Sequence, residues 1–152
     1  MVSGQLSHEL EVKAAASDVW AVYCGLKLAK LIEENLTQLV QKVDVLEGDG
    51  GVGTIVCLKF VPGFGFDEAK EKVTKVDHEN RVKATEVVEG GHLAIGFSSF
   101  KYEVQILDKG NDTSVIKSVV EYEANDESAA KYATVDPVQN VALLVQKHVT
   151  KP

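Results

Sequence analysis

The sequence predicts an α+β fold in which a seven-stranded, curved antiparallel sheet wraps around one long C-terminal helix. Three observations support this prediction. Segments of alternating apolar and polar residues recur along the chain, short turns rich in Gly, Asn and Asp separate them, and an apolar stripe at helical spacing follows Pro137. Because a single amphipathic helix cannot cover a large curved sheet completely, we expect an internal apolar cavity that binds apolar ligands.

The N-terminal part of the chain is predicted to hold one strand and two short helices. Residues 6–12 alternate as a strand with one buried face. Ser17 is the expected N-cap of the first helix, and Gly25 ends that helix. The apolar residues at helical spacing are Val19, Trp20 and Tyr23 in the first helix and Leu28, Leu31 and Ile32 in the second.

A glycine-rich loop, residues 48–53, lies between two predicted strands, residues 39–46 and 54–61. Its glycines match the dinucleotide spacing Gly-x-Gly-x-x-Gly, but that motif needs a following helix to bind the pyrophosphate. Here β-branched and aromatic residues follow, which are typical of a strand, and no Gly-Lys-Ser/Thr completes a P-loop. The loop is therefore predicted to be a hairpin turn.

The rest of the sheet and the last helix follow the same periodicities. Four further strands are predicted at residues 68–76, 81–89, 92–107 and 113–123. Asp136 and Pro137 are a typical N-cap and first-turn pair, and the apolar stripe consists of Val138, Val141, Val145 and Val149. If residues 127–133 add earlier helical turns, Pro137 would instead kink the helix.

Composition narrows the function classes. The chain has 152 residues and a net charge of −7, so we expect one domain over residues 1–152 and no binding to nucleic acid or anionic membrane. No apolar run approaches the roughly 20 residues of a membrane span, and no signal peptide is recognisable, which favours the cytoplasm. Cys24 and Cys57 are expected to be buried free thiols. His8, His78 and His148 have no ligand-like spacing, so no metal site is expected.

Several segments carry a resemblance to a known family. The loop at 48–54, the order of elements and the final helix resemble the plant Bet v I superfamily (pathogenesis-related class ten) over essentially the whole chain. Residues 7–12, 60–63, 88–93 and 115–118 are similar to the branch that contains the norcoclaurine and norbelladine synthases. The resemblance implies a helix-grip fold and an enzyme of plant alkaloid biosynthesis that joins a phenethylamine to an aryl aldehyde. The implied reaction is a Pictet–Spengler cyclisation, or imine formation with a reductase downstream, and it needs no cofactor.

The resemblance also implies a set of site residues. Lys83 matches the catalytic lysine of norcoclaurine synthases and would be a proton shuttle, and Glu71 matches their glutamate and would be the base. Ala69 stands where these enzymes have a tyrosine, and Tyr102 stands where they have an aspartate, which norbelladine synthase has also lost. The implied substrate contacts are Ala69, Tyr102, His92, Phe60 and Phe100.

Strand periodicity allows two orientations of the Glu71 and Lys83 side chains. If Glu71 and Lys83 both point inward, they meet in an apolar cavity, where burial raises the carboxyl pKa and lowers the lysine pKa. In the competing interpretation they belong to a solvated face, because Val82, Ala84 and Val88 compete for the buried side.

Two functions therefore stay open. The retained Lys83 and Glu71 favour the condensing enzyme. Ala69 favours a non-catalytic carrier or storage protein for apolar plant metabolites, because alanine enlarges the cavity and removes a hydroxyl. Ala69 is equally compatible with an enzyme that accepts a bulkier alkaloid precursor.

Overall fold

Seven strands form one antiparallel sheet in the computed structural model, which describes residues 1–150. The strands are β1 (Val2–Val12), β2 (Val40–Glu47), β3 (Ile55–Phe60), β4 (Glu68–Asp77), β5 (Val82–Gly90), β6 (Phe97–Gly110) and β7 (Thr113–Ala124). Their order across the sheet is β1-β7-β6-β5-β4-β3-β2. The predicted α+β class and the seven-stranded sheet are confirmed.

The helices pack on the concave side of this sheet. They are α1 (Ala16–Tyr23), α2 (Lys27–Asn35), α3 (Glu127–Ala130) and α4 (Asp136–Val149). The long helix α4 packs against α1, α2, β1 and β7. Pro137 is the second residue of α4, so it lies in the first turn and does not kink a longer helix.

Both predicted N-caps are wrong. Helix α1 begins at Ala16 and its N-cap, Ala15, makes no side-chain cap bond, so Ser17 lies within the first turn. The chain is held just before this point, because the hydroxyl of buried Ser114 donates to the carbonyl of Ala14 over 2.9 Å. In α4 the N-cap is Val135, and Asp136 is the first helical residue.

The predicted strand at 92–107 begins too early. Residues Gly91–Ile95 form a 3₁₀ turn, and β6 starts only at Phe97. Gly91 and Gly96 have φ values of 53° and 107°, in the left-handed region, so the chain does not continue through them as an extended strand. His92 therefore lies on the 3₁₀ turn and not on a strand.

Two expectations about burial also need correction. Cys57 is buried, but Cys24 is only half-buried because it caps the end of α1. Alternation in the predicted strand 39–46 places Val45 on the same face as Val43, yet Val45 is 43% exposed. It lies on an edge strand next to a register irregularity that interrupts strict alternation.

The glycine loop is the predicted hairpin, and it also packs on the junction between α1 and α2. Gly50 has a φ of 106°, and its N–H donates to Thr54 Oγ1 over 2.8 Å. A Cβ atom at Gly50 would lie 2.9 Å from Gly25 Cα. Two glycines thus allow the loop backbone and the helix junction to come into contact.

We expect Gly50→Ala to lower the free energy of unfolding by about 1–3 kcal/mol, because alanine is strained at this φ and collides with backbone. Gly51→Ala is the matched control, since Gly51 has no positive φ and its nearest atom is a side-chain oxygen 3.4 Å away. The control should change stability by less than about 0.5 kcal/mol. Urea denaturation measures both variants, and equal losses would contradict the assignment.

Candidate functional site

An apolar cavity of about 180 Å³ lies between the concave face of the sheet and the helices. Its apolar wall includes Leu28 and Ile32 from α2, Val141 from α4, and Leu58 and Phe60 from β3. A dry cavity of roughly 150 Å³ is enough to bind benzene. The cavity therefore has room for an aromatic ring.

The register of the sheet fixes where the polar groups of the cavity lie. Glu71 on β4 is directly opposite Val87 on β5. Along β5, Lys83 is two inward-facing positions away from Val87, and Thr85 is the inward-facing residue between them. Strand geometry separates Lys83 from Val87 by about 13 Å. Tyr102 on β6 is opposite Thr85, so Glu71, Lys83 and Tyr102 lie on three neighbouring strands. All three side chains line the cavity.

Lys83 and Glu71 line the same cavity but do not contact each other. The expectation that the two side chains meet is therefore wrong as far as direct contact is concerned. None of the ion pairs within residues 1–150 joins them. The Nζ atom of Lys83 instead donates to the carbonyl oxygen of Tyr23, the last residue of α1, over 2.8 Å. The separation of the two side chains along the sheet accounts for this arrangement.

The apolar surroundings shift the proton affinity of both groups. Burial raises the pKa of Glu71 to about 7, against the opposing effect of the positive charge on Lys83. Burial lowers the pKa of Lys83, and nearby Cys24 and Glu71 counteract this. A carboxyl group that titrates near neutrality can both accept and release a proton, which suits general acid–base chemistry.

Tyr102 adds a neutral hydroxyl to the cavity wall. Its pKa is raised well above the ordinary value, first by burial and then by the charge of Glu71, so the phenol keeps its proton. The ring packs edge-on against Phe100 with centroids 5.4 Å apart. The cavity wall thus holds an ammonium, a phenol hydroxyl and a carboxyl group on three neighbouring strands.

Ala69 lines the cavity next to the 3₁₀ turn. It is 2% exposed, and a Cβ atom on Gly91 would lie 2.9 Å from the Ala69 Cβ. The small side chain therefore permits a close approach of the turn to β4.

Of the predicted aromatic contacts, Phe60 and His92 line the cavity and Phe100 does not. Phe100 is 1% exposed and lies beneath the His92 ring, which stacks on it with centroids 3.6 Å apart. Phe100 is therefore wrong as a ligand contact and belongs to the core. Burial lowers the pKa of His92 to about 4, so the ring is neutral at physiological pH.

Sequence reasoning missed three aromatic residues of the cavity. Phe64 and Phe66 lie in the loop between β3 and β4, which was predicted only as a turn, and both line the cavity. Phe64 stacks on Phe60 with centroids 4.4 Å apart. Two phenylalanines in a glycine-rich turn are a usable signal, since an exposed turn rarely needs them. Tyr23, expected only to pack its helix, also lines the cavity.

Residues 1–150 hold no group of three or more His, Cys, Asp or Glu side chains that could bind a metal ion. No helix within that range has both the length and the apolar character needed to cross a membrane.

Comparisons with known proteins give a consistent result. The sequence model described as the pathogenesis-related protein Bet v 1 family matches residues 1–152. The norbelladine synthase of Narcissus pseudonarcissus is 47% identical over 151 residues, covering 97% of this chain and 93% of that protein. The S-norcoclaurine synthase of Thalictrum flavum subsp. glaucum is 41% identical over 126 residues, covering 83% of this chain and 60% of that protein.

Solved structures agree with the sequence comparisons. The truncated norcoclaurine synthase from Thalictrum flavum superposes with a TM-score of 0.90 at 37% identity, over 99% of this chain and 96% of that one. The X-ray structure of norcoclaurine synthase from the same plant, in complex with dopamine and hydroxybenzaldehyde, has a TM-score of 0.89 at 37% identity. That match covers 99% of this chain and 90% of the other.

Proposed function

We propose, from the premise that this chain belongs to the pathogenesis-related protein Bet v 1 family, that its cavity condenses a phenethylamine with an aryl aldehyde in plant alkaloid biosynthesis. The observation that carries the proposal is the pair of functional groups in the apolar cavity, Lys83 and Glu71, whose pKa values move in opposite directions. The similarity to norbelladine and norcoclaurine synthases supports the choice of substrates. We further propose a cytoplasmic location and a single domain over residues 1–152.

The proposed chemistry balances without a cofactor. The amine nitrogen attacks the aldehyde carbon, and the ammonium of Lys83 donates the proton with which the carbinolamine hydroxyl leaves as water. In the Pictet–Spengler version a ring carbon then attacks the iminium carbon, and the carboxylate of Glu71 takes the ring proton. In the imine-forming version the iminium returns its nitrogen proton to the now neutral amine of Lys83, and a downstream reductase takes the imine. Ala69, Tyr102, His92 and Phe60 would contact the substrates.

The second candidate is a carrier or storage protein for apolar plant metabolites. Two observations favour it. Ala69 supplies no hydroxyl at the position where norcoclaurine synthases have a tyrosine, and the ammonium of Lys83 is hydrogen-bonded to the carbonyl of Tyr23. A carrier would bind the same aromatic compounds in the same cavity and release them unchanged.

A condensation assay separates the two candidates. The protein is mixed with dopamine or tyramine and several aryl aldehydes, and products are resolved by chiral chromatography with mass spectrometry. Imine is trapped in parallel with borohydride. Enantiomeric excess, or imine above the buffer rate, is the expected result. Racemic product at the buffer rate, with ligand binding still detected by thermal shift, would favour the carrier.

A further inference from the structure

The loop between β3 and β4 contributes two phenylalanine rings to the cavity wall, and the proposed mechanism uses neither. Phe64 and Phe66 line the cavity and are half-buried. Phe64 stacks on Phe60 with centroids 4.4 Å apart, and Phe66 packs edge-on against both rings at 5.2 Å. Phe66 also packs edge-on against His92 at 5.0 Å. We call these four side chains the aromatic end of the cavity.

Core packing does not account for the two loop phenylalanines. Phe60 packs against one of the two buried hydrophobic clusters within residues 1–150, but Phe64 and Phe66 pack against neither of them. Both rings keep part of their surface free, although phenylalanine is usually buried in a folded protein. An apolar ligand in the cavity would cover some of this free ring surface, which is energetically favourable.

The aromatic end lies away from Lys83 and carries no charge. Phe66 precedes β4, which begins at Glu68, and His92 follows β5, which ends at Gly90. Lys83 is the second residue of β5, so it lies at the opposite end of that strand. Burial lowers the pKa of His92 to about 4, so its ring is neutral at physiological pH. A ligand ring at this end therefore meets the faces and edges of four uncharged rings.

The two substrates of the proposed condensation place different demands on their surroundings. In the cyclisation the ring of the amine gives up a proton to the carboxylate of Glu71, so that ring must lie beside Glu71. The ring of the aldehyde forms and breaks no bond, and it needs no proton-transfer group near it. The aromatic end suits the aldehyde ring, because aromatic pairs prefer the stacked and edge-on contacts that these side chains offer.

We propose that Phe64 and Phe66 are specificity-determining residues that bind the ring of the aryl aldehyde and select aryl over alkyl aldehydes. The inference rests on the proposed function for the identity of this ligand. It deepens that function by assigning the choice of aldehyde to two residues of the loop between β3 and β4.

Binding of two unreactive aldehyde analogues tests the proposal without turnover. Benzyl alcohol carries an aromatic ring, and cyclohexylmethanol carries a saturated ring of similar size. Wild type should bind benzyl alcohol more tightly, and Phe64→Leu and Phe66→Leu should each reduce this preference by about 2- to 10-fold. Leucine keeps an apolar side chain and removes the ring. Tyr132→Leu is the matched control, because Tyr132 is 63% exposed and does not line the cavity, and it should leave the preference unchanged.

Nuclear Overhauser effects in the unsubstituted protein give a readout that does not depend on the variants folding. Ring protons of bound benzyl alcohol should contact the ring protons of Phe64 or Phe66. Contacts only to residues elsewhere in the wall, such as Leu28 and Val141, would overturn the inference. Equal losses for both alcohols in the leucine variants, or no measurable binding of benzyl alcohol, would also overturn it.

The same data separate this inference from the proposed function. A ring preference that depends on Phe64 and Phe66, in a protein without turnover, would reject the condensation and retain the aryl-binding assignment. Turnover that is equally fast with aryl and alkyl aldehydes, and unchanged in Phe64→Leu and Phe66→Leu, would retain the condensation and reject the assignment.

Discussion

Lys83→Ala should lower kcat for the condensation by about 10²- to 10⁴-fold, the usual contribution of one general acid or base. The affinity for a single aromatic ligand should change little, because the cavity wall is mainly apolar. The physical reason is that burial lowers the lysine pKa, so the ammonium gives up its proton more readily than a surface lysine does. Steady-state kinetics and calorimetric dissociation constants measure the two quantities separately.

Two further variants make the Lys83 result interpretable. Lys72→Ala removes an exposed lysine from neighbouring β4 and should leave turnover unchanged. Lys83→Met keeps the apolar length of the side chain and removes the transferable proton, so it should match Lys83→Ala. If Lys83→Ala instead kept its turnover and lost ligand affinity, Lys83 would be a binding residue and not the proton donor of the condensation.

The order and type of the elements were predictable because each depends on short-range patterns. Alternation and turn residues specify the strands, and the valine stripe specifies α4, of which Val145 is completely buried. The boundaries near His92 were not predictable in the same way. They depend on positive φ angles at Gly90, Gly91 and Gly96, and a glycine does not reveal its φ in the sequence.

The orientation of Lys83 illustrates a second limit. Simple alternation from Lys83 would turn Glu89 inward together with Val87. The register shifts between Lys70 and Glu71. Lys70 lies opposite Glu89 and Glu71 lies opposite Val87, which leaves Val88 unpaired on β5. Glu89 consequently forms an ion pair with Lys70 over 2.9 Å outside the cavity. Sequence periodicity carries no information about where such a bulge falls.

Tyr23 escaped prediction for a related reason. At helical spacing with Val19 and Trp20 it fits the packing face of α1, and that assignment is correct for its ring. Whether part of the same side chain also borders a cavity depends on how the sheet and the other helices pack around it. Helical periodicity identifies a face of the helix and does not distinguish a core atom from a cavity-lining one.

Glu71→Gln should lower kcat/KM for the cyclised product by about 10²- to 10⁴-fold, because the amide cannot accept the ring proton. The pH profile gives the sharper test. Glu71 acts as a base only when deprotonated, and its pKa is about 7, so wild-type kcat/KM should fall as the pH drops below that value. The decline should approach about tenfold per pH unit, and the residual activity of Glu71→Gln should lack this limb.

The same pKa also predicts a change in stability that needs no substrate. Burial raises the pKa of Glu71 from 4.5 to about 7, so the native state binds this proton more tightly than the unfolded chain does. The resulting stabilisation is fully present below about pH 4.5 and is lost as the pH rises through about 7. The Tm of Glu71→Gln minus the Tm of the wild type should therefore increase between pH 5 and pH 8. Glu9→Gln changes an exposed position of β1 and should show no such increase. A difference between Glu71→Gln and wild type that does not vary with pH would mean that the carboxyl group titrates as an ordinary glutamate, and the assignment of Glu71 as the base would lose its physical basis.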